Sequence, residues 1–198
     1  MNPPKVAILV SGSGSNAASL LDFWANGAVQ TVGIWTNRKS AGIWNRSLNV
    51  PVHHFVPGHD DEALLAQWRS EGVTALVLAG YLKPVPPAWI QAFGPRCYNI
   101  HPALLPAYGG QGMYGHHIHE AVVAAGEAES GLSIHRVTEH YDEGPILFQM
   151  RTPLVPGDTA EALGARILHG EHWAYPRVVT ADLLGTEFPT ELPEGWSK

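Results

Sequence analysis

Short apolar runs alternate with amphipathic segments along the first half of the chain. Residues 6–10 are uninterrupted apolar, as in a strand buried on both faces, whereas residues 17–24 repeat apolar positions at helical spacing. This alternation continues to residue 101 and favours right-handed βαβ units on a parallel sheet. The predicted strands are 6–10, 32–36, 52–56, 75–79 and 98–101, and the predicted helices are 17–24, 41–48, 60–70 and 87–93.

The second half follows a different pattern. Residues 105–117 are rich in Gly, Pro and Tyr and predict a long loop, followed by a helix at 119–125. Two further runs, 131–137 and 145–155, predict strands that extend the sheet in the antiparallel direction. Residues 159–184 predict a long helix capped by Asp158 or Thr159. We expect the acidic, proline-containing tail from Thr186 to be loosely attached.

These elements predict an α/β fold: a Rossmann-like, mostly parallel sheet with helices on both faces and an antiparallel C-terminal extension. Residues 1–198 contain neither an internal repeat nor an interdomain linker, so we expect a single domain.

Composition narrows the functional classes. The formal net charge is −6 with no basic block, which disfavours a dedicated nucleic-acid binder. Cys97 is the only cysteine, so the chain has no internal disulfide. No stretch approaches the roughly 20 apolar residues of a membrane span, and the run at 6–10 is too short for a signal peptide. We therefore expect a cytoplasmic protein that does not bind membranes.

Eleven histidines raise the question of a metal site. The cluster His116, His117 and His119 lacks the helical i, i+4 pairing and the Cys or acidic partners at zinc spacing. We expect no metal. His135, within a predicted strand, is expected to be packed and hydrogen-bonded, or to line a site.

The segment with the most chemistry is the predicted strand that carries Asn99 and His101. Residues two apart on a strand point to the same face, so an amide and an imidazole meet in one small volume. The amide offers a fixed N–H donor, and the imidazole can also move a proton. The prolines that follow place the pair at the carboxyl end of a strand, where open α/β sheets keep their sites.

An acidic loop can complete this pair. Residues 138–145 lie between two predicted strands and include Asp142. If Asp142 reaches His101, its negative charge favours the imidazolium and raises the pKa of His101.

Residues 11–16, Ser-Gly-Ser-Gly-Ser-Asn, join the first strand to the first helix. Glycines allow close approach of a ligand, and a helix N-terminus offers unpaired N–H groups, which suits a phosphate. The segment is not a P-loop, since no Lys-Ser/Thr follows. Ala17 at the third glycine position and the lack of an acidic residue near Thr36 weaken a dinucleotide interpretation. A plain strand-to-helix turn capped by Ser or Asn is the alternative.

Five segments, in order, carry a resemblance to a known family: residues 11–16, 78–82, 99–106 (Asn-Ile-His-Pro-Ala-Leu-Leu-Pro), 141–146 and 171–176. Together they resemble the phosphoribosylglycinamide formyltransferases. The segment 99–106 alone marks the wider formyltransferase superfamily, and the glycine-serine loop narrows the resemblance to this branch.

The resemblance implies formyl transfer from 10-formyltetrahydrofolate, a co-substrate, to the amine of glycinamide ribonucleotide in purine biosynthesis, without a metal. It implies that Asn99 and protonated His101 stabilise the oxyanion, that His101 takes part in proton transfer and that Asp142 keeps His101 charged. The partners would be small molecules, with the protein a monomer or weak homodimer.

The same resemblance assigns two binding regions. The N-terminal half would bind the substrate phosphate and the C-terminal half would bind folate and carry the catalytic residues. The ribonucleotide would contact Gly14, Ser15, Asn16, Leu168, His169, Gly170 and Glu171, with Glu171 accepting hydrogen bonds from ribose hydroxyls. The folate would contact Leu82, Lys83, Pro84, Val85, Asn99, Thr138, Glu139, His140, Tyr141 and Asp142, with Lys83 near its glutamate tail.

Two positions depart from the family pattern. Asp61 falls near the position of a folate-tail arginine found in some relatives. The loop 108–115 is longer than in many relatives, and we hypothesise that it is a mobile lid over the site.

Four rival functions share part of this pattern. Formyltetrahydrofolate hydrolase has the catalytic segment but usually follows a regulatory domain, whereas here the catalytic pattern starts at Lys5. Methionyl-tRNA formyltransferase normally adds a tRNA-binding domain, which the acidic balance suits poorly. Sugar-nucleotide formyltransferases lack the N-terminal phosphate loop. A non-catalytic folate or nucleotide sensor would not need Asn99, His101 and Asp142 together.

Overall fold

The computed structural model, which describes residues 2–198, contains a seven-stranded sheet ordered β3-β2-β1-β4-β5-β6-β7. The first five strands run parallel, and β6 and β7 pair in the antiparallel direction. The α/β class and the antiparallel extension are thereby confirmed. The strands are β1 Lys5–Val10, β2 Gln30–Thr36, β3 Val52–His54, β4 Ala75–Leu78, β5 Cys97–His101, β6 Glu129–Arg136 and β7 Ile146–Pro153.

Helices cover both faces of the sheet. They are α1 Ser15–Trp24, α2 Asp61–Glu71, α3 Pro87–Phe93, α4 His116–Ala125 and α5 Ala160–Leu184. β1 shows why two faces are needed, because its successive side chains enter different cores. Val6, Ile8 and Val10 pack with α1 and α5, whereas Ala7 and Leu9 pack with α2 and α3.

The helix predicted at 41–48 is wrong. The structure has only a 3-10 helix at Gly42–Asn45. The Ile43 N–H donates to the Gly12 carbonyl over 3.1 Å, and the Ile43 side chain packs against Gly14. This segment is therefore shaped by its contact with the loop that follows β1, which local propensity does not reveal.

Other boundaries shift by a few residues. α4 begins at His116, immediately after Gly115, so the predicted loop 105–117 ends about half a turn earlier. α1 begins at Ser15 rather than Ala17. The predicted cap of α5 is Thr159, whose Oγ1 accepts a hydrogen bond from the Ala162 N–H over 3.1 Å.

The expectation of a loosely attached tail is also wrong. Trp196 packs against Gly170 of α5, and Ser197 pairs with Arg151 of β7 through two main-chain hydrogen bonds of 2.8 and 3.0 Å. The tail thus covers an apolar part of α5 and extends the edge of the sheet. None of the helices within residues 2–198 is long and apolar enough to cross a membrane.

Candidate active site

Asn99 and His101 lie at the carboxyl end of β5, which pairs with β6. Asn99 lies opposite His135 of β6, and His101 lies opposite Ser133. Since the register alternates, Asn99 and His101 present their side chains to the same face, as predicted. His135 joins them from the neighbouring strand, so it both lines the site and is hydrogen-bonded, the two roles that the sequence left open.

Ser133 and Gln149 hold the turn that follows β5. The Ser133 hydroxyl donates to the Ala103 carbonyl over 2.7 Å and accepts from the Leu105 N–H over 2.9 Å. The Gln149 amide donates to the Leu105 carbonyl over 3.0 Å. These bonds direct the chain away from the sheet and leave the end of β5 open.

Asp142 reaches both histidines from the loop between β6 and β7. Its Oδ2 lies 3.5 Å from Nδ1 of His101, and its Oδ1 lies 3.5 Å from Nε2 of His135. The Asn99 amide nitrogen is also 3.5 Å from Oδ1. Asp142 has φ of 58°, a left-handed conformation that Asp tolerates better than most residues. The predicted approach of Asp142 to His101 is confirmed.

The hydrogen bonds of His135 fix its tautomer. Nδ1 lies 2.8 Å from the Arg136 carbonyl, which can only accept, so Nδ1 carries a proton. Nε2 lies 3.0 Å from the Asn99 amide nitrogen and 3.5 Å from Asp142 Oδ1, so it accepts from the amide when the ring is neutral and faces the carboxylate as a donor when the ring is charged. The Asn99 amide nitrogen is therefore oriented by two neighbours, His135 at 3.0 Å and the more distant Asp142 at 3.5 Å.

His101 is held between an anion and a carbonyl. Its Nε2 donates to the Tyr108 carbonyl over 2.8 Å, while Nδ1 faces Asp142. Burial lowers the pKa of His101 below its usual value, and this effect outweighs Asp142 and the Tyr108 carbonyl, which both raise the pKa. Asp142 thus raises this pKa as predicted, but burial makes the net shift a lowering, and the unliganded site favours the neutral imidazole.

The carboxylate of Asp142 is kept charged. Its burial alone raises the pKa, but the neighbouring His135 and His101 and the Gly110 N–H, which donates to Oδ2 over 3.0 Å, reverse that effect. The net pKa of Asp142 lies below its usual value. The site therefore combines a carboxylate that stays ionised with an imidazole that favours its neutral form.

The loop 108–115 contacts this cluster through its main chain. Tyr108, at φ of 56°, supplies the carbonyl for His101, and Gly110 supplies the N–H for Asp142. Gly109 has no space for a side chain, because a Cβ there would meet Leu105 and Asp142. The loop thus covers the two titratable groups, and its mobility stays a hypothesis.

The glycine-serine loop ends in Gly14, which caps α1 at φ of 70° with no side-chain capping bond. The alternative of a Ser or Asn cap is therefore wrong. Ser15 and Asn16 form the first turn of α1, which contains no acidic residue. The main-chain N–H groups of this turn remain available to an anion.

Asn16 and Glu171 connect this loop to α5. The Asn16 amide donates to Oε2 of Glu171 over 2.9 Å, between two residues 155 positions apart. Burial raises the pKa of Glu171 to about 7, although the Asn16 bond opposes that rise. The sequence predicted both residues at one binding region, and the structure brings them into contact.

A cavity of about 330 Å³ adjoins these groups between α4 and α5. Leu168 and Glu171 line it, and His169 is exposed next to them. Gly170 instead packs against Trp196, so the space beside it is filled by the tail. Further lining residues are Pro102, His116, His119 and Gly164.

The residues predicted to contact folate form two segments on either side of β5. Lys83 and Pro84 are exposed after β4. Val85 is buried in the core cluster that packs against α2 and α3. The Leu82 N–H donates to the Ser11 hydroxyl over 3.0 Å. The second segment lies in the loop with Asp142. Of its members, Thr138 is partly exposed, and Glu139, His140 and Tyr141 are exposed.

Three groups in the site were not predicted. The Tyr108 carbonyl and the Gly110 N–H are main-chain groups, so residue type carries no signal for them. Arg46 donates from Nε to the Ser13 carbonyl over 2.6 Å, and it lay in the segment mistaken for a helix. Within residues 2–198 no three His, Cys, Asp or Glu side chains are grouped so as to hold a metal ion.

Comparison with known proteins places this geometry in a family. The formyl transferase family model matches residues 4–179. The chloroplastic phosphoribosylglycinamide formyltransferase of Arabidopsis thaliana is 42% identical over 188 residues, which are 89% of this chain and 64% of that protein. The chain therefore spans less than two thirds of that relative. The phosphoribosylglycinamide formyltransferase of Bacillus subtilis is 31% identical over 194 residues, 91% of this chain and 95% of that protein.

A solved structure agrees with these relatives. Glycinamide ribonucleotide transformylase 1 from Symbiobacterium toebii superposes with a TM-score of 0.83 and 32% identity, covering 93% of this chain and 89% of that one. On this fold and these matches, the chain belongs to the phosphoribosylglycinamide formyltransferase branch of the formyl transferase family.

Proposed function

We propose that the protein transfers a formyl group from 10-formyltetrahydrofolate to the amine of N1-(5-phosphoribosyl)glycinamide, a step of purine biosynthesis. The observation that carries the proposal is the cluster of Asn99, His101 and Asp142 at the end of β5, with contacts of 3.5 Å to Asp142. The family names of its relatives supply the substrates.

The reaction needs one N–C bond to form and another to break. The substrate amine attacks the formyl carbon, the formyl oxygen becomes an oxyanion, and the intermediate collapses with departure of the folate nitrogen. Overall, one proton passes from the attacking amine to the leaving nitrogen. Asn99 suits the oxyanion, because His135 holds one of its amide hydrogens and the other has only a long contact of 3.5 Å to Asp142, which an oxyanion can replace.

His101 suits the proton transfer. Its lowered pKa favours a neutral imidazole, which can take a proton from the attacking amine and then return it to the folate nitrogen. Asp142 stays ionised beside it and stabilises the imidazolium formed between these steps. After accepting the proton, the imidazolium of His101 stabilises the oxyanion.

The remaining assignments follow the two binding regions. Gly14, Ser15 and Asn16 would bind the phosphate through main-chain N–H groups, and Glu171 the ribose. Folate would lie between residues 82–85 and 138–142. Release of Nε2 of His101 from the Tyr108 carbonyl would require movement of the loop 108–115. We also propose that the protein acts on small molecules alone, as a monomer or weak homodimer.

An absorbance assay with a 10-formyl folate tests the function. We expect release of the deformylated folate only when glycinamide ribonucleotide is present, with formation of one formylated ribonucleotide for each folate released. Release without the ribonucleotide would show a hydrolase instead. No release under either condition would contradict the proposal, and sugar nucleotides would be the next acceptors to test.

A further inference from the structure

Arg46 is a cation held at the glycine-serine loop with no acidic partner. Its Nε donates to the Ser13 carbonyl over 2.6 Å, and its two terminal nitrogens make no hydrogen bond within residues 2–198. Arg136, Arg151 and Arg166 are paired with carboxylates, whereas Arg46 forms no ion pair within residues 2–198. A guanidinium anchored at one nitrogen keeps the other two available for an anionic group.

The segment that carries Arg46 fits closely against the loop. Gly42 lies so near Ser13 that a Cβ would come within 3.1 Å of the Ser13 Cα, and the Ile43 N–H donates to the Gly12 carbonyl. The Ile43 side chain fills the space beside Gly14. These contacts fix the backbone from which Arg46 extends, so its position relative to the start of α1 is defined.

The facing surface of α5 also presents unpartnered polar groups. The Nε2 of His172 is buried without a hydrogen-bond partner within residues 2–198. Burial lowers the pKa of His172, and the charges of His169 and Arg46 lower it further. Asn16, only 9% exposed, turns its amide to Glu171 and leaves its Oδ1 without a partner.

These groups suit a ligand that carries both a phosphate and hydroxyl groups. A guanidinium and free main-chain N–H groups at a helix N-terminus are complementary to a phosphate dianion. A buried amide oxygen and a carboxyl group are complementary to sugar hydroxyls. We infer that Arg46 binds the phosphate of the ribonucleotide and makes the site select phosphorylated acceptors. The inference rests on the proposed function for the identity of that substrate.

The test compares three variants of the full chain with the wild type. Arg46→Gln keeps a hydrogen-bond donor for Ser13 but removes the charge. Arg46→Lys keeps a positive charge but removes the planar guanidinium with its several N–H donors. Arg38→Gln is the matched control, because Arg38 is an exposed arginine in the same connection whose side chain makes no hydrogen bond within residues 2–198. Binding of inorganic phosphate is measured by calorimetry, and steady-state kinetics are measured with the ribonucleotide.

We expect Arg46→Gln to weaken phosphate binding and to raise KM for the ribonucleotide by about tenfold, the lower end for hydrogen bonds to a charged group. kcat and KM for the folate should stay unchanged. Arg46→Lys should recover part of the loss, Arg38→Gln should match the wild type, and added salt should narrow the difference.

Equal phosphate affinity of the wild type and Arg46→Gln would overturn the inference, as would an equal loss in Arg38→Gln. Phosphate binding that depends on Arg46, in a protein that does not formylate the ribonucleotide, would contradict the proposed function and leave the phosphate site standing. Turnover of the ribonucleotide with no dependence on Arg46 would contradict only the role of Arg46.

Discussion

The two ends of the site are built from different parts of the polypeptide. At residues 12–16 the available groups are main-chain N–H groups, and their position depends on the conformation of one glycine. At the end of β5 the groups are side chains, and Asn99, His101, His135 and Asp142 constrain one another. The first end is therefore sensitive to backbone geometry, and the second to the charge and hydrogen bonding of single side chains.

The largest effect should come from the side-chain end. We expect Asn99→Ala to lower kcat by about 10²–10³, the usual cost of removing one oxyanion donor. Thermal unfolding should change little, because Asn99 faces the site and is only partly buried. Wild-type turnover in this variant would remove Asn99 from the reaction.

Glu171 links the two ends of the site. Its ionisation at high pH should lower the free energy of unfolding. Its pKa is about 7 in the folded protein and about 4.5 when exposed, so the folded state favours the protonated form. The stabilisation is complete below about pH 4.5 and is lost as the pH rises through about 7. Relative to Glu171→Gln, the wild type should lose up to about 3 kcal/mol of unfolding free energy between pH 5 and pH 8.

Denaturant unfolding of both proteins across this pH range provides the measurement. Asn16→Ala tests the same coupling from the other partner, because loss of its hydrogen bond should raise the pKa of Glu171 further. A stability difference between wild type and Glu171→Gln that does not vary with pH would show that the carboxyl group has an ordinary pKa.

The main-chain end should respond to added side chains. Gly14→Ala places a Cβ against Ile43 at φ of 70°, so we expect a loss of about 1–2 kcal/mol in stability and a raised KM for the ribonucleotide. Gly12→Ala is the matched control, since its Cβ meets no atom within 4 Å and its φ is not positive. Similar behaviour of the two variants would argue against a backbone-dependent anion site.

Removal of the Asp142 charge should act through the acid–base behaviour of His101. Asp142→Asn should lower the pKa of His101 further, because the carboxylate opposes the effect of burial. NMR titration of the His101 ring measures this directly, and the limb of the kcat/KM profile due to His101 should move to lower pH. An unshifted titration would show that Asp142 does not tune His101.

Much of this arrangement was accessible from local sequence. Period-two alternation predicted that Asn99 and His101 share a face, and the composition of residues 138–145 predicted a loop that could bring Asp142 to them. The net pKa of His101 was not accessible, because it depends on how deeply neighbouring elements bury the imidazole. Burial is a property of the packed molecule and has the larger effect here.

The failures share a cause. Residues 41–48 have helical periodicity, but contacts with Gly12 and Gly14 hold them as a 3-10 helix. The tail has the composition of a flexible segment, but Trp196 packs on Gly170 and Ser197 pairs with β7. In each case a contact distant in sequence outweighs a weak local preference.

Local periodicity and ordered motifs were sufficient to predict most of the strand and helix order, the placement of Asn99 and His101 on one face of a strand, and the family resemblance. The packed fold was needed to show that His135 orients Asn99, that Tyr108 and Gly110 hold His101 and Asp142 through their main chains, and that Arg46 lies beside the loop at residues 12–16. These contacts join main-chain groups and residues from separate elements, and their energies depend on burial that no single segment encodes.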